Sequence, residues 1–191
     1  MSSLNLNLTR LSDEQVEKIH TASLEILDRI GLRLDLEQAV GILKKAGARV
    51  GEDGLVHVPP KLVEEALNSV PRIVTLHNRH GAPVMPLSGN RCFFGPGSDC
   101  LNIIDHRTGE RRKAVMNDVV EGTRLCDALA NIDFVMSMVL PGDVDQTLAD
   151  IHQMEAMLTQ TTKPIVYVSY GVKGLIRAVE MAEAVVGGEA T

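Results

Sequence analysis

The sequence predicts an α/β fold with a parallel sheet in its second half. Two short, nearly continuous apolar stretches, 132–138 and 164–170, alternate with segments of helical periodicity, and such strands are typical of parallel sheets covered on both faces. Ser137-Met138 in the first stretch corresponds to Ser169-Tyr170 in the second, 32 positions later. One βα unit of a (β/α)8 barrel of about 250 residues is about 30 residues long, so the pattern favours a barrel and leaves a doubly wound open sheet as the alternative.

The first 72 residues are predicted to form a helical extension with one small hairpin. Ser12 and Gln15 make a capping box before a helix whose apolar spacing continues to Ile30, and Gly31 is the stop signal. Pro60 is a favourable first residue for a later helix. The other expected elements are a helix over 36–46, a hairpin over 49–58 and the helix over 60–69.

Residues 73–191 are predicted to be the first part of a TIM-barrel domain. Short strands are expected at 74–76, 91–94 and 101–104, and helices at 117–130, 145–158 and 173–186. Asn117 and Asp145 are the expected helix caps. These elements amount to about three βα units of the eight in a barrel, so the chain is expected to be the N-terminal part of a longer, truncated enzyme.

The composition excludes several classes of protein. With 45% hydrophobic residues the chain is too apolar to be disordered, and no apolar run approaches the roughly 18 residues of a membrane span. The start of the sequence lacks the features of a secretory signal. A net charge of −6 disfavours nucleic-acid binding. The chain is therefore expected to be cytoplasmic, with neither a membrane nor a nucleic acid as partner.

Metal and disulfide chemistry are not predicted. The three cysteines form no C-x-x-C pair, which argues against a disulfide framework and a structural zinc site. His77 and His80 lie three apart on a strand-to-loop segment without a third ligand. Cys100 follows Asp99, whose carboxylate would raise the pKa of the thiol and make it less reactive.

The candidate site lies at the carboxyl ends of the strands, where parallel α/β folds bind ligands. Four of the five aromatic rings of the chain lie on or beside these ends, and aromatic faces with a nearby carboxylate bind quaternary ammonium groups. The alternatives are a plain turn at 95–100 and rings that fill a core, as expected for Phe134. The predicted binding residues are Phe94, Gly97, Ser98, Asp99, Ser137, Tyr167, Ser169 and Tyr170.

Other charged residues are assigned structural roles. Asp150 and Glu155 are expected on a solvated helix face, and Arg111-Arg112-Lys113 in a solvated turn that could meet an acidic partner.

Three segments resemble the trimethylamine methyltransferase (MttB-like) superfamily: 94–100 (FGPGSDC), 131–137 (NIDFVMS) and 162–165 (TKPI). The opening helix over 11–31 is similar to the start of those proteins, so the resemblance covers essentially the whole chain. It implies a TIM barrel preceded by a helical extension. It also implies transfer of a methyl group from a tertiary or quaternary methylamine to the cobalt of a cognate corrinoid protein, in one-carbon metabolism related to methanogenesis.

Because many relatives lack pyrrolysine and act on betaines, we expect a non-pyrrolysine member that acts on a betaine such as glycine betaine. The corrinoid would be carried by the partner, so that this chain binds no cofactor itself, and a homo-oligomer is left open. The length departs from the family, whose members are more than twice as long, and this puts the activity of the 191 residues alone in doubt. The competing hypotheses are a TIM-barrel lyase acting on a small carboxylate and a non-catalytic betaine-binding module.

Overall fold

The computed structural model describes residues 10–89 and 91–188. The chain divides into two compact units, Met1–Pro71 and Arg72–Thr191.

The first unit contains the predicted helices and hairpin. Its elements are α1 (Asp13–Glu25), which continues as one π-helical turn (Ile26–Ile30), α2 (Glu37–Lys45), β1 (Arg49–Val50), β2 (Val56–His57) and α3 (Pro60–Ser69). The Ser12–Gln15 capping box is present, and Gly31 ends the first helix at φ 79°. Local signals therefore predicted these helices and the hairpin correctly. Its core is built around Val56, whereas Val16 and Ile19 on α1 are exposed.

The second unit begins with two antiparallel hairpins. They are β3 (Val74–His77) with β4 (Pro83–Leu87), and β5 (Asn102–Ile104) with β6 (Arg111–Lys113). Neither β4 nor β6 was predicted. The predicted strand at 91–94 is wrong, because those residues form no strand.

Three helices follow the hairpins: α4 (Met116–Ala128), α5 (Ala149–Gln160) and α6 (Val172–Val186). Both predicted caps are wrong. Asn117 lies inside the first turn of α4, and the Asp118 carboxylate instead accepts a hydrogen bond from the Val115 amide, 2.8 Å away. Asp145 accepts from the amide and hydroxyl of Thr147 in the turn that precedes α5, which begins four residues later.

Three extended segments lie side by side and run parallel. Val135 pairs with Ile165 and Cys100 with Val139, both in parallel register. The amide of Asp133 donates to the Phe94 carbonyl at 2.7 Å, where the segments that contain Val139 and Cys100 begin to pair. Segment 133–140 therefore lies between segments 94–100 and 164–166, so the predicted loop at 95–100 belongs to the first parallel segment.

The packing of α5 sets the core of this unit. Met157 is 1% exposed and packs with Val135 of the middle segment, while Ala156 packs with Val119 of α4. The helices thus cover the parallel segments, which confirms an α/β arrangement. No closed barrel is present in the described residues.

Two basic side chains stabilise the amino-terminal ends of the parallel segments through hydrogen bonds to backbone carbonyls. Lys163 Nζ donates to the carbonyl oxygens of Cys126, Leu129 and Ile132 at 2.7–2.8 Å, in and just beyond the last turn of α4. The Arg79 guanidinium donates to the carbonyls of Leu158 and Thr161 at the end of α5. Cations at helix carboxyl ends are favourable because unpaired carbonyls concentrate negative charge there.

Arg112 lies on β6 rather than in a turn, and its side chain, although 38% exposed, forms structural ion pairs. Its Nη atoms make a two-pronged contact with the Asp118 carboxylate at 2.8 Å, and its Nε contacts Asp105 at 2.9 Å. The network joins the β5–β6 hairpin to the start of α4. The Arg112 guanidinium lowers the pKa of Asp118, and it brings that of Asp105 to about 2.

None of the helices within the described ranges is both long enough and apolar enough to cross a membrane.

Candidate functional site

The candidate site lies at the carboxyl ends of the three parallel segments. The first segment ends in Ser98-Asp99, the middle one contributes Ser137, and the third continues into Ser169-Tyr170. The middle segment lies between the other two, yet the Tyr170 side chain reaches the first segment.

Asp99 and Tyr170 form the centre of the site. The Tyr170 hydroxyl donates to Asp99 Oδ1 at 3.3 Å, and the Ser98 hydroxyl donates to Asp99 Oδ2 at 3.1 Å. Both carboxylate oxygens therefore have a protein donor. Tyr170 remains 48% exposed, so the pair is accessible to a ligand.

The Tyr170 phenol is held in its protonated form. Partial burial and the nearby Asp99 carboxylate raise its pKa to about 12, because both disfavour the phenolate. The hydroxyl can therefore donate to Asp99 throughout the neutral range.

Two backbone positions at these strand ends are strained. Asp99 and Met138 both have φ 62° without being glycine, a left-handed conformation that is uncommon for such residues. The Met138 amide donates to the Gly97 carbonyl at 3.0 Å, and its carbonyl accepts from the Cys100 amide at 3.2 Å. Pairing between the two segments therefore holds both residues in this conformation and turns the Asp99 side chain toward Tyr170.

Asp150 lies behind the site, and its predicted position on a solvated helix face is wrong. It is 2% exposed in the first turn of α5. Its Oδ2 accepts from the Tyr170 amide at 3.1 Å and lies 3.4 Å from the Ser169 hydroxyl, while its Oδ1 accepts from the Ile151 amide at 3.0 Å. Helical periodicity does not single out this residue, since its partners follow about 20 positions later.

Tyr167 adds a second ring beside this carboxylate. Its hydroxyl is buried and makes no hydrogen bond with the described residues. Burial and the nearby Asp150 charge raise its pKa to about 12.

Not every predicted residue joins the cluster. Phe94 is 65% exposed at the opposite, amino-terminal end of the first segment, where its amide donates to Asp133. Gly97 contributes its carbonyl to the strand pairing, and Ser137 is buried on the middle segment. Ser98, Asp99, Ser169 and Tyr170 are brought together around the Asp99–Tyr170 and Asp150 contacts.

The arrangement suits a cation better than an anion. A carboxylate and an aromatic ring meet at an accessible edge, and this pair of groups attracts ammonium ions through charge and through the negative face of the ring. Across residues 10–89 and 91–188 no group of three His, Cys, Asp or Glu side chains is arranged to hold a metal ion.

Comparison with known proteins gives a consistent result. The family model for trimethylamine methyltransferase (MTTB) matches residues 4–191. Trimethylamine methyltransferase MttB of Desulfitobacterium hafniense (strain DSM 10664 / DCB-2) is 35% identical over 183 residues, which cover 95% of this chain and 37% of that relative. Glycine betaine methyltransferase of Desulfitobacterium hafniense (strain Y51) is 27% identical over 180 residues, covering 94% and 37%. Proline betaine:corrinoid methyltransferase of Eubacterium limosum is 28% identical over 163 residues, covering 81% and 32%.

The chain thus spans a little over a third of the length of the first two relatives. The quoted alignments cover most of the chain, and the family model includes all three segments on which the resemblance rests. The chain belongs to the trimethylamine methyltransferase (MTTB) family.

Proposed function

We propose that the chain is part of a methyltransferase that takes a methyl group from a quaternary or tertiary methylamine, such as glycine betaine. The acceptor would be the cobalt of a corrinoid carried by a cognate partner protein. Family membership supports the reaction class, and the names of two relatives, glycine betaine and proline betaine methyltransferases, support a betaine substrate.

The contact between Asp99 and Tyr170 carries the assignment of the site. A quaternary ammonium has a permanent charge and no N–H to donate, so it is recognised by charge and by aromatic faces. Asp99 supplies the charge, and the half-exposed ring of Tyr170 supplies the face. The other proposed binding residues are Phe94, Gly97, Ser98, Ser137, Tyr167 and Ser169.

These residues bind and orient the substrate, and methyl transfer from a quaternary ammonium needs no proton from the chain. The nitrogen of a quaternary substrate keeps the electron pair of the broken N–C bond and becomes neutral. Its attraction to Asp99 then falls, which favours release of the amine. What the chain must provide is a position that turns one N-methyl group toward the acceptor.

We further propose the architecture that this function requires. Residues 1–72 would form an extension to a TIM-barrel domain that starts at residue 73, and the three parallel segments would be its first strands. Binding at the carboxyl ends of barrel strands agrees with the position of the Asp99–Tyr170 pair. A cytoplasmic location suits a partner that carries a reduced corrinoid.

The experiment is a methyl-transfer assay on the intact protein. Glycine betaine and trimethylamine are each incubated with the protein and free cob(I)alamin, and the demethylated amine is measured. Formation of dimethylglycine or dimethylamine supports the proposal. Binding of either amine without turnover, also in the presence of the corrinoid protein, would support a binding module instead. Breakdown of a small carboxylate without methyl transfer would support a lyase.

A further inference from the structure

Asp150 is a buried carboxylate whose hydrogen-bonding partners lie beside the proposed cation site. The residue is 2% exposed, and none of the ion pairs among the described residues includes it. A buried charge is costly unless donors replace its water. The groups that donate hydrogen bonds to Asp150 are therefore the parts of the chain that the residue stabilises.

These partners belong to the turn that carries Tyr170. Asp150 Oδ2 accepts from the Tyr170 amide at 3.1 Å and lies 3.4 Å from the Ser169 hydroxyl. That hydroxyl donates to the Gly171 carbonyl at 2.8 Å, which closes the turn on itself. The carboxylate thus anchors the backbone of residues 169–171 to the first turn of α5.

The next helix packs against the same carboxylate. A Cβ atom added to Gly174, in the first turn of α6, would overlap Asp150 Oδ2 and lie 3.0 Å from Ser169 Oγ. The carboxylate therefore lies between the amino-terminal turns of α5 and α6. This enclosure limits the movement of the Tyr170 backbone.

We propose that Asp150 is a positioning residue, which holds the 169–171 turn so that the Tyr170 ring stays against Asp99 in the cation site. The inference rests on the proposed function, because it assigns Asp150 a role that acts through Tyr170. Asp150 itself does not touch the substrate in this scheme.

The test is a double-mutant cycle on the intact protein, with tetramethylammonium as the probe and calorimetry as the measurement. Asp150→Ala is expected to weaken binding about tenfold when Tyr170 is present and to have no further effect in the Tyr170→Leu background. Asp150→Asn keeps an oxygen that can accept from the Tyr170 amide and should bind within about threefold of the parent. Asp145→Ala, a change of the same type in the exposed turn before α5, serves as the control and should leave the affinity for tetramethylammonium unchanged.

The outcomes separate this inference from the proposed function. An equal loss of affinity from Asp150→Ala in both backgrounds would overturn the positioning role and leave the cation site in place. No effect of Tyr170→Leu on binding would overturn both. If Asp150→Ala does not fold, Gly174→Ala carries the cycle, because its Cβ would displace Asp150 Oδ2; the expected loss of about threefold should disappear without Tyr170.

Discussion

The Tyr170 hydroxyl donates a hydrogen bond to the Asp99 carboxylate at 3.3 Å, across 71 positions of sequence. It joins the two outer segments of the parallel group over the end of the middle one. The contact therefore links residues that the pairing of the three segments brings together at the candidate site.

Two substitutions of Tyr170 should distinguish the contribution of its ring to substrate affinity from that of its hydroxyl. Tyr170→Leu keeps apolar volume but removes the aromatic face, worth up to about 2 kcal/mol for a desolvated cation, so the affinity for glycine betaine should fall ten- to thirtyfold. Tyr170→Phe should cost much less, since only the hydroxyl is lost. Calorimetry on the intact protein measures both affinities, with Phe134→Leu as a control that changes stability but not binding. Equal affinities for the Leu and Phe variants would remove Tyr170 from the site.

Two neighbouring glycines should respond differently to substitution. A Cβ on Gly95 would lie 2.5 Å from the Phe134 ring, whereas a Cβ on Gly97 meets no atom within 4 Å. Gly95→Ala should therefore destabilise the fold by about 1–3 kcal/mol through overpacking. Gly97→Val should leave the melting temperature nearly unchanged and lower methyl transfer by crowding the substrate. A large loss of stability in the Gly97 variant would mean that its segment is only a structural turn.

The Arg112 network should make stability depend on pH in the acid range. Hydrogen bonds from Arg112 lower the pKa of Asp105 from 3.8 to about 2 and also lower that of Asp118. Since the folded-state pKa values are depressed, the stabilisation is present above about pH 4 and is lost as the pH falls toward 2. Melting curves between pH 2 and 6 measure the effect. Arg112→Gln should flatten the dependence, and Arg111→Gln, at an exposed position next to it, should not. Identical curves for the two variants would contradict a role for the network.

Lys163 should stabilise the chain through the end of α4. Lys163→Met removes three charge-assisted hydrogen bonds and leaves carbonyl oxygens of Cys126, Leu129 and Ile132 without that donor. The expected cost is about 1–3 kcal/mol. Chemical denaturation measures it, with Lys173→Met at an exposed position on α6 as the control. A loss of less than about 0.5 kcal/mol would show that water replaces the ammonium without penalty.

The 191 residues on their own should self-associate. Four apolar residues of α6, Val172, Leu175, Ile176 and Val179, are each at least 44% exposed, and apolar patches of this kind favour association. Light scattering at micromolar concentration should detect oligomers. Leu175→Glu combined with Ile176→Glu should reduce them, because the charges resist burial. A monodisperse monomer with a cooperative melt and no dye-binding apolar surface would contradict this expectation.

Local sequence signals were sufficient for most of the helices. The Ser12–Gln15 capping box, Pro60 at the start of α3 and Gly31 after the π-helical turn are all in the predicted roles. They act within one or two helical turns, through hydrogen bonds and φ preferences that need no distant partner. Such signals failed for β4 and β6, whose pairing partners rather than their own residues make them strands.

The sequence alone also determined the family, through the segments 94–100, 131–137 and 162–165, and it predicted a candidate site from the aromatic and polar residues that follow the apolar stretches. Only the tertiary structure decided which of these side chains meet. In the fold the Tyr170 hydroxyl donates to Asp99, whereas Phe94 lies at the other end of its segment. Asp150 is buried and accepts from the Tyr170 amide, and Arg112 pairs with Asp118. The physical reason is that a helical or strand pattern depends on neighbours in the sequence. The partner of a charge depends on which distant segment the fold places within about 3 Å of it.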